Sequence, residues 1–482
     1  MAIIIPANSA ADTGYSIDNS CRFNTGDSPY MYKTVVAPTS ATISTVSFWM
    51  KAIGVTDKGI FSARTDINNR HSIYWEGAGG AKLELWGKRS GSTSVEMHLT
   101  RAFRDPSAWI HNVIAIDTTQ GTAGNRVKWY VNGVQQTVFT TETQVTEDSS
   151  LEWSVADATL AVGAYAATSG YSSYFDGYLA EFVFIDGTQY AASDFGEFDE
   201  DSPTIWKPKD VSGLTFGNNG FYLDFEDSSN LGNDANGGTD LTESNLAAID
   251  QATDTPTNNF CTMNPLYAAT SSAFTFSQGN CEVEQNASDW RTAAGTIGVS
   301  SGKWYFEAKG GQGTNGYTHL GWASDSWLTE KGVGSMYEPT TNHNGPAVTY
   351  YGANGNNYYS TSSATGSNAS YGATWDNGDT IGCFLDLDNN KAYWSKDGTL
   401  QNSGTGYSIE SGYTWFPVVG GFDMDNGGES VKVNFGGCPA TTISSGNTDG
   451  SYGNFEYTTT ITGDSVSKTF KALCTKNLAE YG

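Results

Sequence analysis

Along much of this chain apolar residues recur at every second position, in short runs bounded by Gly, Asn and Asp, which predicts β-strands between tight turns. The clearest run lies in residues 175–208, FDGYLAEFVFIDGTQYAASDFGEFDEDSPTIWKP. An Asp-Gly turn opens a strand with Leu179, Glu181, Val183 and Ile185 on one face and Tyr178, Ala180, Phe182 and Phe184 on the other; Asp186-Gly187 ends it. Residues 46–51 put Phe48 and Met50 on one face, and 109–118 put Ile110, Ile114 and Ile116 on one face. In 127–138, Val127, Trp129 and Val131 alternate up to Asn132-Gly133, a pair that accepts the positive φ of a type I′ hairpin. Further on, 302–310 groups Trp304, Phe306 and Ala308, and 318–324 follows. Residues 375–398 carry Ile381, Cys383, Leu385 and Leu387 among turns at Asp379, Asn389-Asn390 and Asp397-Gly398; 415–422 and 431–437 close the series. Neither heptads nor a fixed long repeat is present.

Between these two groups of strands, residues 202–258 turn to Asn, Asp, Thr, Ser and Gly, with one apolar run at 221–225. That predicts an ordered loop or interdomain connector. At 482 residues the chain is too long for one core. The expected organisation is a first sandwich over 1–201, a polar connector over 202–258, a second sandwich over 259–439, and a tail over 440–482 that packs on the second domain or on a neighbouring subunit.

The order of elements also carries resemblances. The elements sFWmK, W.H.....D, wYVNG and FDGYLAEFVFIDG resemble a concanavalin-A-like (laminin-G-like) jelly roll, and GKwYfE, lGwa, W..GD.IG..lDld....yw..DG, fPv and v.vNFG resemble the SPRY domain. The 175–208 block, TDTPTNNFCTMNPL (253–266) and FKALCTKNL (470–478) resemble segments of tailed-bacteriophage structural proteins. The resemblance implies an all-β protein of two antiparallel β-sandwich (jelly-roll) domains in tandem. It implies a virion structural protein, non-enzymatic, acting in adhesion, receptor recognition or decoration. Implied partners are copies of itself as a homotrimer, other virion proteins, and a host cell-surface glycan or receptor.

Composition agrees with sandwiches: aromatics are 13%, and 56 Gly stand against 12 Pro. With 25 basic and 52 acidic residues, the net charge of −27 makes phosphate backbones and anionic membranes repulsive, so neither nucleic acid nor membrane is an expected partner. Residues 1–18 lack a basic region, and no stretch reaches 18 apolar residues; the expectation is synthesis in a host cytoplasm without a signal peptide, and a final place on the virion. The six cysteines (Cys21, Cys261, Cys281, Cys383, Cys438, Cys474) show no CxxC spacing and are expected as buried, reduced thiols.

Candidate chemistry is sparse. Carboxylate pairs of the kind a retaining glycosidase needs occur in 197–201, 224–226, 282–284 and 386–388; the first is an acidic cluster in the exit segment and the last a turn approach, and neither has the aromatic-flanked triple alternation of such hydrolases. Five histidines (His71, His98, His111, His319, His343) form no metal or nucleophile motif; His111 and His319 read as packed strand residues, and zinc has no motif support. No cofactor is expected; for calcium, residues 423–429 offer oxygens without EF-hand spacing, as a solvated acidic turn would. The best candidate ligand surface is 327–371, where Trp327, Tyr337, His343, Tyr350, Tyr351, Tyr358 and Tyr359 alternate with Asn354 and Asn356. Rings stack on sugar faces and amides bond hydroxyls. The same residues also fit a Tyr-rich strand pair joined by an Asn-Gly hairpin, or a subunit contact. The alternatives to adhesion are a glycan-degrading depolymerase and a purely architectural capsid or tail protein.

Overall fold

In the computed structural model the described residues are 14–53, 56–78, 80–167, 169–268, 274–285, 290–310, 317–330, 345–363, 366–422 and 430–482. They fall into two compact units, one within Asp12–Thr257 and one within Asn258–Gly482, each with its own core. Both are built from antiparallel sheets, and among the described residues no helix is long and apolar enough to cross a membrane.

In the first unit, one sheet runs Val134–Gln136, Val127–Val131, Ile110–Asp117, Ile43–Ala52, Gly177–Asp186, Ser20–Phe23, Gln251–Ala252, with Phe221–Leu223 pairing beside Gly177–Asp186. The other runs Phe139–Thr143, Ser92–Leu99, Lys82–Arg89, Asn69–Glu76, Lys58–Asp66, Thr159–Val162, Tyr30–Thr34, Thr242–Ser244. Val46, Phe48, Met50, Ile110, Ile114, Ile116, Val127, Trp129 and Val131 meet in the core, on the faces that alternation assigns them. Asn132 and Gly133 take φ of 47° and 75°, the left-handed pair the hairpin requires.

Two readings need correction. The strand Gly177–Asp186 carries a bulge: its register against Ile43–Ala52 shifts between Ala180 and Val183, and Glu181 takes a φ of 48°. The extra residue reverses the alternation. Leu179 therefore shares the core with Phe182 and Phe184, while Val183 and Ile185 pack in a separate cluster on the opposite face with Phe195, Val211 and Phe216. Second, residues 202–257 are part of the first sandwich. They supply Phe221–Leu223, Thr242–Ser244 and Gln251–Ala252 to its sheets and Phe221, Leu223, Phe225, Leu231 and Leu241 to its core. The segment is polar on average, yet its large apolar residues Phe221, Leu223, Phe225, Leu231 and Leu241 are buried. Its acids are used inside too: Asp254 accepts from Lys51 Nζ at 2.7 Å and Trp109 Nε1 at 3.0 Å, and Asp250 pairs with Arg22 at 3.2 Å.

In the second unit a seven-stranded sheet runs Met263–Ala268, Trp290–Gly295, Trp415–Phe422, Thr318–Ser324, Ala347–Tyr351, Asn356–Ser360, Ser367–Ser370. A nine-stranded sheet faces it across Trp304, Phe306, Ile381, Cys383, Leu385, Val431 and Val433. Residues 440–482 lie on the outer side of this second sheet. Phe455, Ile461, Phe470, Ala472 and Cys474 pack with Phe260, Tyr305, Phe384 and Tyr393, and Lys471–Ala472 pairs in parallel with Lys303–Gly310. All six cysteines are buried.

Candidate functional site

The 327–371 candidates fare unevenly. Trp327 sits in the short helix Asp325–Glu330 and packs with Ala323, Ala347, Phe416 and Val418. Tyr350 is fully buried in the core and its hydroxyl donates to Ala373 O. Tyr351 and Tyr358 are also buried; Tyr351 stacks on His319 at 4.3 Å, and Tyr358 Oη accepts from Asn354 Nδ2 at 3.1 Å. These four aromatic residues are packing residues, each buried against its neighbours. The Asn354-Gly355 hairpin between them forms as the strand-pair reading expects, with Gly355 at a φ of 71°. Asn354 is exposed, and Asn356 and Tyr359 are half-buried. Tyr337 and His343 lie outside the described residues, as does the acidic turn 423–429.

His111 and His319 are buried, as strand packing predicts, and burial pushes both imidazoles down to about 3. The acidic runs serve structure as well. Asp199 pairs with Lys207 and caps Asp201 N and Ser202 N; Glu282 accepts from Ser430 Oγ; Asp386 is buried against Lys468 at 3.0 Å and Asn389 Nδ2. In the second unit a cavity of about 140 Å³ is lined by Glu307, Lys309, Lys432, Asn434, Ser444 and Tyr457. Burial raises the Glu307 carboxyl, but that group is occupied: it accepts from Asn434 Nδ2 and Glu456 N, each at 2.8 Å, and from Tyr305 Oη at 3.0 Å. It pins the C-terminal segment.

The surface with the most unspent chemistry is the outer face of the first unit's second sheet. Ile73, Trp75, Leu83, Leu85, Val95, Met97 and Leu99 face the core, so the residues between them face outward. That places Tyr74, Glu76, Glu84, Trp86, Glu96 and His98, all half-buried, on one wall. Tyr165, from the hairpin strand Tyr165–Ala166, stands against this wall, 5.2 Å from the Tyr74 ring and 6.4 Å from Trp86. The Arg70 guanidinium lies over both Trp86 and Tyr165, at 5.4 and 5.6 Å. Along the same sheet Tyr30 meets Tyr32, Tyr171 and Tyr174, and Arg64 covers Tyr171 at 5.8 Å. Half-covered rings and carboxylate groups thus make this face a mixed aromatic and acidic platform, with Arg70 itself buried among the rings.

At one end of the platform three carboxylates converge on one imidazole. Glu84 and His98 are cross-strand partners, and Nε2 of His98 lies 3.2 Å from Glu84 and 3.3 Å from Glu96, with Nδ1 3.9 Å from Glu76. Burial pushes the Glu84 carboxyl up to about 7; His98 opposes the rise, and the charges of Glu76 and Glu96 add to it. Sequence reasoning missed this wall. The alternation Leu83-Glu84-Leu85-Trp86 places Glu84 and Trp86 opposite the core, but the convergence needs the pairing of three strands that share no motif spacing.

Residues 303–438 match the model for the SPRY domain, and residues 25–192 match the model for the concanavalin A-like lectin/glucanases superfamily. No curated protein matches the chain. Among solved structures, the SPRY domain of human HERC1 is 19% identical over 37% of this chain and 99% of that one, with a TM-score of 0.28. The heptameric SAP-like pentraxin of Limulus polyphemus is 17% identical over 36% of this chain and 78% of that one, TM-score 0.28. Another human SPRY domain is 16% identical over 33% and 94%, TM-score 0.24. The chain thus carries a concanavalin A-like, laminin-G-type domain and a SPRY domain in tandem.

Proposed function

We propose that this chain is a non-enzymatic recognition protein that binds a cell-surface glycan, displayed as an oligomeric structural component of a tailed-phage virion. The observation that carries the binding role is the platform of Tyr74, Trp86 and Tyr165 with Arg70 beside it. Sugar rings offer C–H faces to aromatic planes and hydroxyls to guanidinium and carboxylate groups. Two domains of lectin-like and binding type support recognition over catalysis. The virion placement draws on the resemblance of residues 175–208, 253–266 and 470–478 to phage structural proteins, and the trimer on how phage appendages are assembled.

The test is a glycan array probed with the purified chain and with Trp86→Ala. The expected result is binding to a defined set of glycans, reduced at least tenfold by the substitution with the melting temperature kept within a few degrees. Absence of binding to any glycan or host cell would overturn recognition in favour of an architectural role, and release of oligosaccharides would overturn the non-enzymatic reading. Immunogold labelling of intact particles tests the placement. Mass photometry showing only the 51.6 kDa monomer at micromolar concentration would remove the oligomer.

A further inference from the structure

We propose that Glu76, Glu84 and His98, with Glu96 beside them, form a binding site for a divalent first-row transition ion of the Zn²⁺ type. One donor atom from each of Glu76, Glu84 and His98 falls within 4.8 Å of the others. Ligands sharing one ion through bonds of about 2.0–2.2 Å lie about 3–4 Å apart, so small side-chain rotations close the set. The backbone already provides the arrangement: Glu84 faces His98 directly across the ladder, and Glu76 and Glu96 sit on the flanking strand positions.

Two further features call for a cation. The charges do not balance: among the described residues the ion pairs of these three carboxylates all run to His98, whose imidazole carries at most one positive charge. And Nε2 of His98 is sealed from solvent yet makes no hydrogen bond, although two carboxylate oxygens stand within 3.3 Å of it. A cation held by His98 and Glu84 gives that nitrogen a partner and supplies the positive charge the carboxylates lack, with Glu76 within reach of the same ion. One imidazole among carboxylates favours Zn²⁺ and its first-row neighbours over Ca²⁺ and Mg²⁺, which prefer oxygen alone.

This site adjoins the aromatic platform, but its test contains no sugar, so its failure is distinguishable from failure of the glycan reading. Isothermal titration of the full chain with Zn²⁺ should show one saturable site of micromolar or tighter affinity. His98→Ala and Glu84→Gln should each weaken it at least tenfold. Both side chains face outward, and Glu84→Gln also removes one of the crowded charges, so circular dichroism should be unchanged. Co²⁺ loaded in place of Zn²⁺ should give visible ligand-field absorption that His98→Ala removes. Lack of saturable uptake would overturn the proposal. So would uptake equally strong in both variants, which places the ion elsewhere, or Ca²⁺ binding as tightly as Zn²⁺ and lost with the same substitutions.

Discussion

Glu181 shows how one residue is set by its surroundings. The bulge turns its side chain away from the core alternation, and Tyr222 Oη donates to it at 2.7 Å, while Tyr15 Oη lies 2.9 Å from Tyr222 Oη. Burial pushes the Glu181 carboxyl up to about 8, against an ordinary value of 4.5, with Asp224 and Asp210 adding to the rise and the tyrosine hydrogen bonds opposing it. The sign follows from linkage. Below pH 4.5 both folded and unfolded states hold the proton; as pH climbs towards 8 the unfolded chain has released it and the folded one has not, so stability falls. Glu181→Gln cannot ionise and keeps an acceptor for Tyr222. Its stability relative to wild type should therefore improve between pH 5 and pH 8, by on the order of 2 kcal/mol in urea titrations. An unchanged difference at the two pH values would contradict this.

At the level of elements, the Asn132-Gly133 hairpin joins Val127–Val131 to the edge strand Val134–Gln136, and its turn faces another element closely. A Cβ on Gly133 would stand 2.2 Å from the Trp206 ring, at a φ of 75°. Trp206 cannot withdraw freely, since its Nε1 donates to His111 Nδ1 at 2.9 Å. Gly133→Ala should destabilise the first unit by about 1–3 kcal/mol, from left-handed strain and ring displacement together. Gly124→Ala, with ordinary φ and open space around it, should lie within about 0.5 kcal/mol of wild type. Equal urea midpoints for the two variants would show that the turn does not constrain Trp206.

For the whole molecule, the tail beyond the SPRY match is the informative part. It covers Tyr305, Phe384 and Tyr393, and Lys468 pairs with Asp386, which is fully buried. A chain ended at Pro439 would expose that apolar surface and remove the nearest cation from Asp386, leaving it Asn389 and the more distant Lys303. It should bind the dye ANS and lose cooperative melting of the second unit while the first unit's transition persists, as scanning calorimetry would show. Two unperturbed transitions would mean that the tail is dispensable.

The sequence by itself determined the strands, their inward faces and most of their turns. Phe48, Met50, Trp129, Trp304 and Cys383 alternate because a pleated strand exposes its two sides with a period of two, and that period is local. The resemblances to laminin-G-like and SPRY domains rest on the same local order of elements. Tertiary structure decided three things that no local period encodes. A single extra residue at Glu181 crossed the faces of the best-defined strand. The polar segment 202–257 became part of a sandwich because five apolar residues and two buried ion pairs outweigh its average polarity. The tyrosines of 347–359 went mostly into packing, while the free chemistry gathered on Tyr74, Glu84, Trp86 and His98. Those four lie on three strands, and only the ladder that pairs them brings their side chains onto one wall.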